Sequence, residues 1–488
     1  MRRDLDQLTS QPFDVLVVGG GIYGLIIACD AAGRGLSVAL IERSDFGSGA
    51  SFNHLRTIHG GLRYLQTLDL ARARESVRER RTLARIAPAA VRPLPFVLPL
   101  TPSFKQGTLA LRAGFLLDRM ISRGRNDDVP ESHRLPGGRV IGREDAIEHF
   151  PLIQTRSLTG AALWYDYVTT DADRLTFSWA IAASMHGAVL ANYVDATALT
   201  VEGGRAIGVH AIDRQQGREL DIRARLTVNA TGGAVERLLA PAGIKSRLPM
   251  LKAMNLVTAR DAPAAAIGGR GPSGRTLFLV PWKGRALFGT WESTQPCAAD
   301  DRTIGKGDVA AFLVEINHAF PSIALTPADI TLVHRGVVPA VIRSDGSAAL
   351  EGHEQVLDHA DRGVEGLSSV AGTKYTTARA VAERVTNRVI TKLGRQPGPC
   401  RTARDPLPVS SQTGDALLAQ AARDEMVVTL EDAVVRRTPL GALGCPTDAV
   451  LNHAAAVVGA ELGWDQGKKD SEIEAVRRFY GTLNAWNT

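Results

Sequence analysis

The chain has 488 residues, more than one ordinary domain of about 100 to 200 residues, so we expect two or three domains. Hydrophobic residues make up 44% and charged residues 22%, which is typical of a globular protein and excludes collagen-like, disordered and disulfide-scaffold classes. The formal charge of +6 is small for this length, so we expect no nucleic-acid partner, since such a partner requires basic residues concentrated on one face.

The first elements predict a strand, a glycine turn, a helix and a second strand. Phe13–Val18 and Val38–Ile41 are short apolar runs, and Gly19, Gly21 and Gly24 follow the first run with the spacing G-x-G-x-x-G. Glycine permits the tight turn, the close approach of a pyrophosphate and the packing of the helix on the strand. The segment therefore predicts a dinucleotide-binding βαβ unit.

Glu42 ends the second strand, 18 residues beyond Gly24. A carboxylate at this place accepts hydrogen bonds from the hydroxyls of the adenosine ribose. It also repels a 2′-phosphate, which disfavours NADP. The glycines and Glu42 do not distinguish FAD from NAD.

The remaining elements indicate a second domain and a helical end. The Arg-rich run Leu68–Ile86 predicts a helix with a solvent-exposed charged face, and Leu226–Ala230 predicts a buried strand. Alternating apolar runs between Leu248 and Val341 predict an antiparallel sheet. A Pro-rich link, Gly394–Pro408, precedes a stretch of helical pattern, Asp415–Tyr480.

The four cysteines lie far apart and form no C-x-x-C pair, which argues against a disulfide framework or a zinc site, and we expect no metal. The polar residues 1–12 lack the apolar region of a signal peptide. No run approaches the roughly 18 apolar residues of a spanning helix. We expect a cytoplasmic protein and leave open a peripheral contact with the inner face of the membrane, through the basic helix or the apolar segment Phe104–Ile121.

Three further segments carry a family resemblance. Ile58–Tyr64 (IHGGLRY), Asn229–Gly232 (NATG) and Ala371–Thr377 (AGTKYTT), with the opening glycine turn, resemble the FAD-dependent glycerol-3-phosphate dehydrogenases of the D-amino-acid-oxidase-like superfamily. The likeness reaches the closing ELGWDQGKKDSEIEAVRRFY, so it covers nearly the whole chain.

The resemblance implies an α/β fold with an FAD-binding, doubly wound Rossmann-like domain, an antiparallel-sheet substrate domain and a C-terminal helical cap. The expected division assigns residues 1–90, 171–245 and 346–394 to the FAD-binding domain, 91–170 and 246–345 to the substrate domain, and 409–488 to the cap.

The resemblance also implies an FAD site. A glycine pair such as Gly60-Gly61 lets the backbone approach the flat flavin ring, because no Cβ stands in the way. Residues 372–376 precede a predicted helix, and the amides at a helix start stabilise the negative charge of a reduced flavin. The residues expected at FAD are Gly19, Gly21, Gly24, Glu42, Arg43, Ser51, His59, Gly60, Gly61, Val194, Ala230, Thr231, Gly232, Gly372, Thr373, Lys374, Tyr375 and Thr376.

A substrate site is implied beside the flavin. Candidates for the base that removes a hydroxyl proton are His59, His54 and Lys374, while Arg63 and Lys374 are expected to hold a substrate anion. The residues expected at the substrate are Arg63, Tyr64, Asn255, Arg335, Arg343 and Lys374.

The chain departs from the family at this substrate site. The family has an arginine at the place of Val338 and a histidine at the place of Asn255, and Ser-Ser-Lys where this chain has His54-Leu55-Arg56. These differences predict intact flavin chemistry on an altered substrate. Arg335 or Arg343 is expected to replace the missing arginine, and His54 the missing base.

The resemblance implies an oxidoreductase that moves hydride from an alcohol carbon of glycerol 3-phosphate, or of a related hydroxylated or phosphorylated metabolite, to FAD. Electrons then pass to a quinone or to oxygen. Two alternatives remain at this point, a D-amino-acid-oxidase-like amine oxidase and a non-catalytic flavin-binding protein. The sequence does not indicate the oligomeric state.

Overall fold

The computed structural model describes residues 1–102, 108–396 and 398–487. The helices of these residues are α1 (Leu5–Ser10), α2 (Ile22–Gly33), α3 (Leu70–Ile86), α4 (Thr108–Ile121), α5 (Arg143–His149), α6 (Ala172–Met185), α7 (Val235–Leu239), α8 (Lys306–Ala319), α9 (Ala378–Lys392), α10 (Gly414–Asp424), α11 (Asp448–Leu462) and α12 (Gln466–Leu483). The strands are β1 (Phe13–Val18), β2 (Val38–Ile41), β3 (Thr57–Ile58), β4 (Val91–Leu100), β5 (Arg139–Gly142), β6 (Gly160–Thr169), β7 (Val189–Ala191), β8 (Val194–Glu202), β9 (Arg205–Asp213), β10 (Glu219–Asn229), β11 (Met250–Asp261), β12 (Ala266–Arg270), β13 (Thr276–Trp282), β14 (Arg285–Glu292), β15 (Ile330–Ile342), β16 (Ala348–Leu350), β17 (Gln355–Asp358) and β18 (Leu367–Ala371).

The first sheet has a parallel centre. β1 lies between β10 and β2, and β18 and β7 continue the parallel order on the two sides. All of β2 and nearly all of β1 is buried, as expected for parallel strands that are covered on both faces. Helices α2, α6 and α9 cover one face, and β8, β9 and α7 cover the other.

Four chain segments leave this sheet at the carboxyl ends of its strands. Gly19 follows β1, Glu42 follows β2, Ala230 follows β10 and Gly372 follows β18. The strand order runs outward from β1 in both directions, and a crevice forms at such a point outside the carboxyl ends. Segments that are widely separated in the sequence therefore converge on one place.

The second sheet contains β3 to β6 and β11 to β16, and its strands are antiparallel except where β12 runs beside β4. The antiparallel sheet predicted between Leu248 and Val341 is present. β16 folds back on β15, with Ala340 opposite Leu350, because a turn at residues 343–346 reverses the chain. The sheet thus continues beyond the expected domain boundary at residue 345.

Helices α10, α11 and α12, with a π-helical turn at Asp432–Arg437, pack on β11, β14 and β15 through a shared apolar cluster. A buried ion network fixes this packing. The Asp45 carboxylate accepts hydrogen bonds from Arg437 at 2.7 and 2.8 Å and from Arg436 Nε at 2.6 Å. The C-terminal helices are thereby tied to the segment that follows Glu42.

Helix α3 differs from the expected solvent-exposed charged helix. Glu79 and Arg80 are buried. Glu79 accepts two hydrogen bonds of 2.6 Å from Arg379 on α9, and Arg80 pairs with Asp166 on β6. The charge pattern alone does not show this burial, because the compensating charges come from distant parts of the chain.

No helix in the described ranges is long and apolar enough to cross a membrane. Residues 104–107 of the predicted apolar segment lie outside the described residues. In the described remainder, α4 buries Phe115 beside Leu100 and Ala162, while Leu116 and Met120 are 64% and 75% exposed. One face of α4 therefore packs on the protein and the other faces outward.

Candidate active site

The crevice outside the parallel strands is part of a cavity of about 580 Å³ that extends to the antiparallel sheet. Most of the residues expected from the sequence line it. They are Gly19, Gly21, Glu42, Arg43, Ser51, His54, His59, Gly61, Tyr64, Val194, Ala230, Thr231, Gly232, Asn255, Gly372, Thr373, Lys374, Tyr375 and Thr376.

Two expected glycines lie behind the cavity wall. A Cβ at Gly24 would overlap the carbonyl oxygen of Gly19, so this glycine lets α2 pack closely on the turn after β1. A Cβ at Gly60 would overlap the Arg80 guanidinium, and the Gly60 amide donates to Asp166 Oδ1 at 2.7 Å. Both glycines position the cavity wall from behind.

The two arginines expected to replace the missing family arginine are not among the described residues that line the cavity. Arg335 donates to the carbonyl oxygen of Thr482 near the end of α12, and Arg343 is exposed in the turn before β16. Arg335 thus lies on β15 beside the cavity wall, but its guanidinium is held at the end of α12. The Arg63 side chain lies outside the described part of the structure.

The wall beneath the glycine turn suits the adenosine and pyrophosphate of a dinucleotide. Gly19 has φ +109°, and a Cβ there would lie 2.6 Å from the Ala230 carbonyl oxygen, so the two loops touch. The cavity also includes Gly21 and Ile22 at the amino-terminal end of α2, where helix amides and the helix dipole favour an anion. These residues fit the predicted cofactor.

The Glu42 carboxylate is held in place at this end of the cavity. It accepts hydrogen bonds from the amides of Gly20 at 2.7 Å and Ser44 at 2.9 Å. Burial raises the pKa of Glu42, and these amide donors counteract that effect. The carboxylate is thus oriented before a ribose hydroxyl arrives.

The segment after β18 forms the wall nearest to His59. Tyr23 from α2 donates its hydroxyl to the carbonyl oxygen of Lys374 at 3.1 Å, and Thr376 Oγ1 accepts the amide of His59 at 3.2 Å. A Cβ at Gly372 would overlap the Tyr23 hydroxyl. The loop is therefore fixed on both sides, with its backbone facing the cavity.

The His59 imidazole is paired with a carboxylate that the sequence reasoning missed. His59 Nδ1 lies 3.3 Å from Asp166 Oδ2, and His59 Nε2 lies 2.8 Å from Thr57 Oγ1. Trp164 Nε1 also donates to Asp166 Oδ2 at 3.1 Å. Burial opposes ionisation of Asp166, but Arg80 and His59 hold its pKa below the usual value. An ionised Asp166 favours the tautomer with hydrogen on Nδ1, which leaves Nε2 as an acceptor.

His54 lies in a different setting. Its ring stacks on Tyr375 with centroids 4.7 Å apart, and its Nδ1 accepts the Arg56 amide at 3.1 Å. Burial and the nearby Arg56 charge hold the pKa of His54 well below its usual value, so the ring is neutral at neutral pH. Its buried Nε2 has no hydrogen-bond partner in the part of the chain that the structure describes.

Lys374 and Tyr64 form one corner of the cavity. Lys374 Nζ donates to the carbonyl oxygen of Gly352 at 2.8 Å and lies 4.2 Å from the centre of the Tyr64 ring. An ammonium over an aromatic face is stabilised by the ring quadrupole. The corner therefore presents a fixed positive charge.

Comparison with known proteins identifies the family. The sequence model of the family "FAD dependent oxidoreductase" matches residues 14–388. The sequence model of the "C-terminal domain of alpha-glycerophosphate oxidase" matches residues 365–469. A glycerol-3-phosphate dehydrogenase of Synechocystis is 30% identical over 422 residues, which are 83% of this chain and 75% of that protein. The chain belongs to the FAD-dependent glycerol-3-phosphate dehydrogenase family. The predicted family and its FAD cofactor are confirmed.

Other relatives agree. A glycerol-3-phosphate dehydrogenase of Mycobacterium leprae is 33% identical over 382 residues, 77% of this chain and 63% of that protein. The solved structure of glycerol-3-phosphate dehydrogenase from Bacillus halodurans, complexed with FAD, has a TM-score of 0.73 at 23% identity and covers 98% of this chain and 97% of that one. The solved structure of glycine oxidase from Geobacillus kaustophilus has a TM-score of 0.58 at 21% identity and covers 83% of this chain and 100% of that one. These two structures show that the fold is shared.

Val338 and Asn255 are the two positions at which the sequence predicts an altered substrate site, and the structure places both at the cavity. Val338 is half-buried and lines the cavity. Buried Asn255 donates to the carbonyl oxygen of Asn53 at 3.2 Å and accepts the Thr290 hydroxyl at 3.0 Å. An asparagine engaged in this way fixes the wall and is not a proton acceptor.

A cavity arginine that sequence reasoning missed comes from just before β13. Both terminal nitrogens of Arg275 lie 3.3 Å from the carbonyl oxygen of Glu292, and the half-buried side chain lines the cavity. Arg275 follows a Gly-containing turn and belongs to no recognisable motif, so the sequence did not indicate that it lines the cavity. Arg275 supplies a guanidinium on the side of the cavity that is formed by the antiparallel sheet.

Proposed function

We propose that the protein oxidises the alcohol carbon of glycerol 3-phosphate, or of a related hydroxylated and phosphorylated metabolite. The observation that carries this proposal is the His59 and Asp166 pair beside the loop of residues 372–376. A histidine oriented by a carboxylate is a general base suited to a hydroxyl proton. When bound, FAD supplies the hydride acceptor.

The protein's own groups account for the proton transfer. His59 lines the cavity, and its Nε2 lies 2.8 Å from the Thr57 hydroxyl, so a substrate hydroxyl that displaces this contact is placed to give its proton to Nε2. Asp166 accepts the Nδ1 hydrogen and stabilises the imidazolium that results. His54 is neutral because desolvation and the Arg56 charge lower its pKa, and its ring stacks on Tyr375 without a carboxylate partner among the described residues. His59 is therefore our choice for the base.

The substrate anion is assigned to the positive corner of the cavity. Lys374 lies beside Tyr64, and Arg275 adds a guanidinium from the antiparallel sheet. Ammonium and guanidinium groups bind phosphate with charge-assisted hydrogen bonds. The wall at Val338 contributes no charge, so the substrate anion has no charged contact at that position.

The test is anaerobic reduction of the FAD-loaded protein. Glycerol 3-phosphate, other polyol phosphates and D-amino acids are mixed separately with the protein, and loss of the visible absorbance of oxidised flavin is followed. We expect polyol phosphates to bleach the flavin. Bleaching by amines alone would assign the amine-oxidase alternative, and no bleaching by any of them would favour a non-catalytic flavin-binding protein.

The electron acceptor and the membrane contact belong to the same proposal. The reduced protein is re-oxidised in separate experiments with dioxygen and with a short-chain quinone, and the faster reaction assigns the acceptor. A long-chain quinone is confined to the lipid and requires access to a membrane surface, for which the basic outer face of α3 is the proposed contact. Co-sedimentation with anionic vesicles at low and high salt tests it.

A further inference from the structure

A second cavity, of about 570 Å³, lies beside the flavin cavity, and Lys374 lines both of them. It is formed by α3, by the turn after α4 and by the segment around residue 353. We call it the arginine pocket. The arginines that line it are Arg72, Arg74, Arg78, Arg81, Arg123 and Arg384.

The carboxylates of the arginine pocket do not balance these charges. Glu75 and Glu354 both pair with Arg384. Asp69 pairs with Arg72, with Oδ2 at 3.3 Å from Nε. These three are the acidic residues among the described residues that line the pocket, and two arginines engage them all.

Of the remaining arginines, Arg78 lies 3.5 Å from Glu79, which does not line the pocket, and the others leave an excess of positive charge there. Arg74 and Arg123 are exposed and form no ion pair within the described ranges. Arg81 donates to the carbonyl oxygen of Gly124 at 2.9 Å, which fixes its direction, and Asp127 is 3.6 Å away outside the pocket. Like charges gathered in a concave surface raise the local potential for an anion.

Arg72 makes the pocket more than a charged surface. Its side chain is only 13% exposed, and its guanidinium carbon lies 5.1 Å from the centre of the Tyr64 ring. The buried Nη2 atom has no hydrogen-bond partner in the described part of the chain. A buried N–H group without an acceptor is unfavourable, so we infer that the Arg72 guanidinium turns toward an anion that enters the pocket.

We propose that the arginine pocket binds the phosphate group of an anionic ligand, at a place separate from the alcohol that is oxidised. Guanidinium groups match phosphate oxygens with paired, charge-assisted hydrogen bonds, and several of them converge here. The group recognised is a phosphate ester, carried by a soluble metabolite or by a lipid headgroup. The site does not depend on the identity of the oxidised substrate.

The first experiment measures binding of inorganic phosphate to the FAD-loaded protein by calorimetry at low ionic strength. The double variant Arg74→Gln/Arg123→Gln removes two pocket charges. The control Arg119→Gln/Arg388→Gln removes two exposed arginines that do not line the pocket. We expect binding about ten-fold weaker in the pocket variant and unchanged in the control. Equal affinities in all three proteins would overturn the proposal.

The second experiment distinguishes the two sources of phosphate. The three proteins are sedimented with vesicles of phosphatidic acid or of phosphatidylcholine, with and without inorganic phosphate. Binding to phosphatidic acid that is lost in the pocket variant and competed by phosphate assigns a lipid headgroup. If the protein binds phosphate in solution but does not bind vesicles, the ligand of the arginine pocket is a soluble phosphate ester. Vesicle binding that is the same in the pocket variant and the control contradicts a headgroup role for the pocket.

Flavin content and thermal unfolding of each variant show that it is folded. Because phosphate binding is read without turnover, a failure of glycerol 3-phosphate to reduce the flavin leaves this test intact.

Discussion

Asp166 Oδ2 lies 3.3 Å from His59 Nδ1, although 107 positions separate the two residues in the chain. The antiparallel pairing of β3 with β6, in which Ile58 lies opposite Tyr167, brings them together. Arg80 and the Gly60 amide hold the other carboxylate oxygen. Asp166 is therefore fixed from several sides, and the direction of the imidazole follows from the sheet register.

We expect Asp166→Asn to slow flavin reduction by about 100-fold, because the amide does not stabilise an imidazolium and favours the wrong tautomer. The measurement is anaerobic stopped-flow absorbance with a saturating polyol phosphate. Asp195→Asn is the control, since Asp195 also lines the cavity but pairs with Arg237. Equal rates in the two variants, each with a full complement of FAD, would exclude Asp166 from the proton transfer.

Gly24→Ala tests the cofactor turn. We expect the variant to be isolated with little FAD, since the new Cβ overlaps the Gly19 carbonyl oxygen and displaces the turn that receives the pyrophosphate. FAD content per protein is measured by absorbance after denaturation. Gly481→Ala in α12 is the control, because a Cβ there meets no atom within 4 Å. Normal FAD content in Gly24→Ala would show that the turn tolerates displacement.

Val338→Arg tests the altered substrate site. The arginine restores a cavity-facing guanidinium, and we expect the KM for glycerol 3-phosphate to fall about ten-fold through a charge-assisted contact with phosphate. Steady-state kinetics with an artificial acceptor measure it. Val341→Arg adds the same charge to an exposed position on β15 and should leave KM unchanged. The same KM in both variants would mean that the phosphate is bound away from Val338.

Asp45→Ala removes the counter-charge of two buried arginines. We expect a loss of about 3 to 5 kcal/mol in unfolding free energy, because Arg437 would remain buried without a carboxylate partner and Arg436 would keep only Glu431 and Asp432. Urea unfolding followed by circular dichroism measures the loss. Asp261→Ala breaks an exposed pair with Arg285 and should cost about 1 kcal/mol or less. A similar small loss in both variants would show that the network is not stabilising.

The same carboxylate predicts a pH dependence. Burial alone would raise the pKa of Asp45, but Arg437 and Arg436 hold it well below its usual range. A depressed folded-state pKa stabilises the protein above the unfolded value of about 4, and this contribution declines as the pH falls below that value. The difference in thermal midpoint between wild type and Asp45→Ala should be constant near neutral pH and narrow in acid. If the difference in thermal midpoint widened in acid, the stabilisation by ionised Asp45 would have the opposite pH dependence to the one predicted.

The cofactor half of the site could be predicted from the sequence for a physical reason. β1 and β2 are buried on both faces, so they occur as continuous apolar runs whose ends coincide with Val18 and Ile41. The residues directly after such strands must meet at one edge of a parallel sheet. Gly19 and Glu42 are therefore readable from local patterns, whereas the place of Gly372 was implied by the family resemblance.

The substrate half depends on pairings that local patterns do not contain. Asp166 lies in an ordinary strand, and its role arises only from the register with β3. Arg335 was expected at the substrate, but its guanidinium donates to the carbonyl oxygen of Thr482, a contact that no local pattern indicates. Sequence alone does not show which charged side chains of α3 are buried, because the partner of buried Glu79 is Arg379 on the distant helix α9. Long-range contacts decide these cases.

Only three positions separate Glu42, at the adenosine end of the cavity, from Asp45, which anchors the C-terminal helices. Loading with FAD stabilises the folded form by mass action, and because the Asp45 network belongs to that form, we expect the helices nearly 400 residues downstream to be stabilised with it. Resistance of the C-terminal helices to a protease therefore reports whether the nucleotide is bound at the other end of the chain.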